Sequence, residues 1–88
     1  MTVLEQIKIF YVNNEQDEFL KYEILADQTG RPAVALVYIS LQHQVGQLAY
    51  AVWTKIDELS VASTEEKAEE ALKLAVQACV DHRAGWQK

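Results

Sequence analysis

Few side chains in this sequence have the types and spacing that catalysis requires. The chain has two histidines, His43 and His82, and a single cysteine, Cys79, three residues before His82. On a helix this spacing puts Cys79 and His82 on one face, where an imidazole can activate a thiolate. Cys79, however, falls in an apolar stripe toward the negative end of the predicted helix, which disfavours the thiolate. We therefore interpret Cys79 as a buried apolar residue, and His82 as an interface residue or one that compensates the helix dipole.

Metal and cofactor sites are not predicted. Asp81 and His82 are adjacent and point in different directions, and the sequence suggests no third ligand. Asp57 and Glu58 could act as paired carboxylates, but we interpret them as solvated turn residues. The sequence has no glycine-rich phosphate loop, nucleophile elbow, CxxC pair or HExxH motif. We expect no metal and no cofactor, and the sequence favours a protein that is not an enzyme.

Composition excludes several classes of partner. The net charge is −5, and the 8 basic residues are scattered singly, whereas nucleic acid binding needs a basic patch. No apolar run approaches the roughly 18 residues that a membrane span requires. With one cysteine there is no internal disulfide, which favours a reducing compartment, the cytoplasm. The 88 residues predict one α+β domain, 1–88.

Alternating apolar residues separated by turn residues predict four strands. They are 8–12, with a start near Glu5 or Ile7, then 18–26, 33–42 and 47–56, with Gly46 as a turn residue. The period then changes, and 63–86 predicts a helix that starts with a Ser63/Glu66 capping box and ends at a C′ glycine, Gly85. Short connections favour an antiparallel meander. The predicted architecture is ββββα, a four-stranded sheet with one C-terminal helix on one face.

One helix covers little more than half of one face of such a sheet, because four strands are nearly 20 Å wide and a helix is about 10–12 Å across. We expect the odd residues of the third strand to face the helix. The opposite face would carry Val34, Leu36 and Tyr38, together with Phe10, Val12, Phe19, Leu25 and Trp53. An exposed apolar patch of this size is typical of an interface. The predicted interface residues are Phe10, Phe19, Leu36, Tyr38, Trp53 and Leu74.

Three functional hypotheses follow. The leading one is a small non-enzymatic protein that binds proteins, as an accessory, adaptor or inhibitor, and acts as a homodimer or higher homo-oligomer. The second is a small-molecule-binding protein or enzyme with an aromatic pocket at a dimer interface, lined by Tyr38, Tyr50, Trp53 and His82. The third is an acidic decoy that binds a basic protein, because the acidic residues cluster in 15–27 and 65–70.

Overall fold

The computed structural model describes residues 3–13 and 19–86, and it has the predicted ββββα architecture. The antiparallel strands β1 (Glu5–Asn13), β2 (Phe19–Ala26), β3 (Pro32–Val45) and β4 (Leu48–Ser60) form one sheet in the order β1-β2-β3-β4, and α1 (Ala68–Trp86) follows. Residues 14–18, which connect β1 to β2, lie outside the described part. Within the described part, no helix is long and apolar enough to cross a membrane.

The β3–β4 hairpin is longer than the sequence predicts. β3 continues to Val45, and the turn contains Gly46, whose φ of +59° is a conformation that glycine adopts without steric cost. At its other end, β4 continues through Asp57 and Glu58 to Ser60, where we expected a turn. Both residues pair with β3. Pairing with a neighbouring strand thus outweighs the low strand preference of acidic residues.

The core lies between α1 and the sheet face that it covers, here called the helix side; the opposite face is the open side. As predicted, odd residues of β3 face α1, and Ala35 and Val37 are fully buried. The core joins them to even residues of β2 and to a stripe of α1. Its buried members are Leu20, Tyr22, Ile24, Ala26, Ala35, Val37, Val61, Ala71, Ala75 and Cys79.

Two residues predicted for the open side, Phe10 and Val12, lie on the helix side. Phe10 is opposite Tyr22 in the register, and the two rings stack with centroids 5.3 Å apart. Phe10 and Val12 both pack, partly buried, against the core. The alternation within β1 is visible in the sequence, but which of its sides faces the helix depends on its register with β2. The face assigned to these two residues was therefore wrong.

Both predicted ends of the helix differ from the structure. The Ser63 hydroxyl accepts a hydrogen bond from the Glu65 N–H at 3.0 Å and so closes a local turn. α1 starts later, at Ala68. At the other end, the helix continues through Gly85 to Trp86, so Gly85 does not terminate it. The side chain of Trp86 lies outside the described part of the chain.

The β3–β4 hairpin projects beyond the helix as an arm, defined here as residues 41–53. Arg31 contacts the backbone just before α1, whereas His82 near the end of α1 contacts Asp57, so the helix runs toward the arm. Every arm residue is exposed. The radius of gyration is 14.9 Å, compared with about 12 Å for a compact chain of this length. The molecule is therefore elongated.

Candidate interaction surface

Apart from Trp53, which lies on the open side, the large apolar side chains of the arm lie on the helix side, beyond the end of α1. Three cross-strand pairs lie there: Leu41 with Val52, His43 with Tyr50, and Val45 with Leu48. Leu48 is 73% exposed and Tyr50 is 50% exposed. The His43 ring stacks on Tyr50 with centroids 5.4 Å apart. The arm is thus a two-stranded ribbon with one apolar side that nothing in the described chain covers.

Charge is segregated away from the arm. Residues 32–54 contain no Asp, Glu, Lys or Arg, so all 13 acidic and 8 basic residues lie elsewhere in the chain. Four acidic residues that surround the start of α1 are exposed: Glu65, Glu66, Glu69 and Glu70. This acidic end is opposite to the arm, because α1 runs toward the arm. Among the described residues, acidic side chains therefore surround the start of α1, whereas the arm carries none.

The open side of the sheet is a mixed polar and aromatic layer. Lys21 Nζ lies 4.4 Å from the Tyr38 ring centroid and 5.1 Å from that of Trp53. It also lies 3.9 Å from Glu23 Oε2, and the two side chains are only 15% and 19% exposed. Tyr11 packs beside Trp53, with centroids 5.7 Å apart. This layer therefore already surrounds an ion pair, and complete burial of such a pair carries a desolvation cost.

Half of the predicted interface residues come together. Leu36, Tyr38 and Trp53 share the open side, whereas Phe10 lies under the helix. Leu74 is on the outer surface of α1 and is 50% exposed. Phe19 begins β2, and its side chain lies outside the described part.

Sequence reasoning missed the apolar side of the arm. The sequence feature that could have identified it is the uncharged stretch 32–54, in which apolar residues recur at alternate positions: Leu41, Val45, Leu48, Tyr50 and Val52.

The residues predicted to line a ligand pocket do not converge within one chain. Tyr38 and Trp53 lie on the open side, Tyr50 lies on the helix side of the arm, and His82 lies near the end of α1. A shallow groove of about 430 Å³ occurs elsewhere, between α1 and β1. Its lining residues are Lys8, Glu69, Leu72, Lys73, Val76 and Gln77.

A chain of three polar side chains joins the helix to two strands. The Tyr22 hydroxyl lies 3.0 Å from His82 Nδ1, and His82 Nε2 lies 3.0 Å from Asp57 Oδ2. An ionised carboxylate only accepts hydrogen bonds, so Nε2 carries a proton and donates to Asp57. In the neutral ring, Nδ1 then accepts from the Tyr22 hydroxyl. His82 therefore has a structural partner on each side, which the sequence did not reveal because Tyr22 and Asp57 are 60 and 25 residues away.

The electrostatics of this chain favour a structural role over catalysis. Burial, followed by the nearby Cys79, raises the pKa of Tyr22 to about 12, so its phenol stays protonated at neutral pH. The Glu58 N–H, and then His82, lower the pKa of Asp57. Burial raises the pKa of the Cys79 thiol to about 11, which disfavours the nucleophilic thiolate, in agreement with our interpretation. Tyr22 has no exposed surface through which a substrate could reach it.

Known proteins provide no further guidance about this surface. No protein-family model matches the chain, and neither characterised proteins nor solved structures include a match. Within residues 3–13 and 19–86, no group of three or more His, Cys, Asp or Glu residues could hold a metal ion.

Proposed function

We propose that this chain is a non-enzymatic, protein-binding protein that acts as a homo-oligomer, and that the helix side of its arm is the self-association surface. The observation that carries the proposal is the exposed apolar row on an arm that contains no Asp, Glu, Lys or Arg. Contiguous exposed apolar surface usually marks an interaction site. We also propose a cytoplasmic location, with which the free, buried Cys79 is compatible.

The charge distribution supports a second copy as the occupant. Two chains of net charge −5 repel each other wherever their acidic surfaces meet. Residues 32–54 contain no Asp, Glu, Lys or Arg, so a contact of arm against arm places no like charges together. A strongly basic partner would instead be attracted to the exposed acidic residues around the start of α1.

The helix side of the arm is a better candidate than the open side. Covering the open side would bury Lys21 and Glu23 further, along with the Lys55–Glu58 ion pair. The helix side of the arm carries no charged pair.

Full burial of one large apolar side chain contributes roughly 1.5–3 kcal/mol, whereas association costs about 4–15 kcal/mol. Burial of the apolar side chains of both arms together can offset this cost and support a reversible dimer.

The test is the mass in solution, measured by size-exclusion chromatography with light scattering over a dilution series. We expect the native chain, of 10.0 kDa, to form a dimer that dissociates on dilution. Val52→Asp puts a charge on the helix side and should give a monomer. Ala51→Asp puts the same charge on the adjacent residue, which faces the open side, and should leave the dimer intact. Circular dichroism would check that both variants fold.

Two other outcomes are informative. A native chain that stays monomeric at every concentration would overturn the proposal. Tyr38→Ala tests the open side that the sequence predicted. Loss of the dimer in Tyr38→Ala and Ala51→Asp, but not in Val52→Asp, would move the interface to that side.

A further inference from the structure

We infer that two copies pack arm against arm in antiparallel orientation, so that each arm fills the layer beyond the end of the other copy's α1. This inference rests on the proposed self-association and specifies its geometry. In this arrangement α1 covers one part of the sheet, and the arm of the second copy covers the part that extends beyond α1.

The layer spacing favours this arrangement. A helix has a diameter of about 10–12 Å, and two stacked sheets lie about 10 Å apart. A second arm packed on the helix side would therefore occupy the same layer as α1. The space next to the end of α1, above the arm, is therefore as deep as the spacing between two stacked sheets. The apolar row of the arm forms one side of this space.

The helix also determines the orientation. If both arms pointed the same way, the two α1 helices would meet between the two sheets, and two stacked helix layers would put the sheets about three times as far apart as a sheet pair. The apolar rows would then be held apart. In the antiparallel orientation, the tip of each arm points toward the helix of the other copy, and neither helix lies between the arms.

The antiparallel packing predicts specific contacts. The His43–Tyr50 pair is midway along the apolar row, so the two-fold axis passes near it. The tip of one arm, with Val45 and Leu48, then lies over Leu41 and Val52 of the other copy. Each arm strand in this region is about 17 Å long. The contact is thus smaller than the roughly 800 Å² per partner of a standard stable interface, in keeping with a reversible dimer.

Charge complementation tests the geometry. Leu48→Lys, Leu48→Glu and Val52→Glu should each weaken the homodimer at least tenfold. A mixture of Leu48→Lys and Val52→Glu should form a heterodimer, because the lysine of one chain faces the glutamate of the other. A mixture of Leu48→Lys and Leu48→Glu should not. Native mass spectrometry distinguishes the heterodimer by mass, and circular dichroism checks that each variant folds.

The possible failures are distinguishable. If the two Leu48 variants associate with each other instead, the arms are parallel and the inference is wrong, while self-association stands. If the native chain dimerises but neither mixture forms a heterodimer, the arm-on-arm packing is wrong. If the native chain is a monomer at all concentrations, both the inference and the proposed function fail.

Discussion

At the scale of residues, the Tyr22 hydroxyl is the buried end of the chain that ties α1 to the sheet. Tyr22→Phe keeps the ring that stacks on Phe10 but removes the hydrogen bond to His82 Nδ1. We expect a loss of about 1 kcal/mol in the free energy of unfolding, measured by urea denaturation. Tyr11→Phe, in the exposed edge strand β1, is the matched control and should change stability much less. Equal effects would contradict this role for the hydroxyl.

Asp57, the other end of that chain, should make stability depend on pH. Its pKa is lowered in the folded state by the Glu58 N–H and by His82. The unfolded state therefore takes up the proton first on acidification. The stabilisation is present above the unfolded pKa and disappears as pH falls through the folded pKa. The difference in unfolding free energy between the native chain and Asp57→Asn should thus be largest near neutral pH and shrink below pH about 4. A constant difference would be evidence against this linkage.

At the scale of elements, Arg31 attaches the beginning of the helix to the turn between β2 and β3. Its Nη1 donates to the Glu66 carbonyl at 3.1 Å, and its Nη2 donates to the Ser63 carbonyl at 3.5 Å. Arg31→Gln should cost about 1 kcal/mol of stability and speed amide hydrogen exchange in the first turn of α1. Lys73→Gln removes an exposed ion pair with Glu70 and should change neither quantity measurably. Unchanged exchange in Arg31→Gln would contradict this attachment.

At the scale of the whole molecule, the separation of the acidic end from the neutral arm should determine how salt affects association. Salt screens the repulsion between two chains of charge −5 and leaves the contact between uncharged arms unaffected. The dimer dissociation constant should therefore stay constant or fall as sodium chloride rises from about 0.05 to 0.5 M, a range that shortens the Debye length substantially. Sedimentation equilibrium would measure it. Dissociation promoted by salt would indicate that ion pairs hold the copies together instead.

The sequence by itself determined the order of the elements, the antiparallel meander and the strand faces that require only local periodicity. The alternation in β3 correctly placed Ala35 and Val37 toward the helix, and the glycine at position 46 correctly marked the turn. The alternating apolar row of the arm, within an uncharged stretch, was also visible in the sequence, although sequence reasoning missed it. These features depend on neighbours in the chain, so a linear reading reveals them.

Only the tertiary structure decided the relations between elements. Phe10 faces the helix because of the register of β1 with β2, which no residue of β1 alone specifies. His82 meets Tyr22 and Asp57 because the helix packs across strands that are distant in the chain. The length of β4 depends on pairing with β3, which carries Asp57 and Glu58 into the sheet. The packing of α1 on the sheet places the end of the helix short of the β3–β4 turn, so the described part of the chain leaves the arm uncovered. Local sequence preferences do not specify this packing.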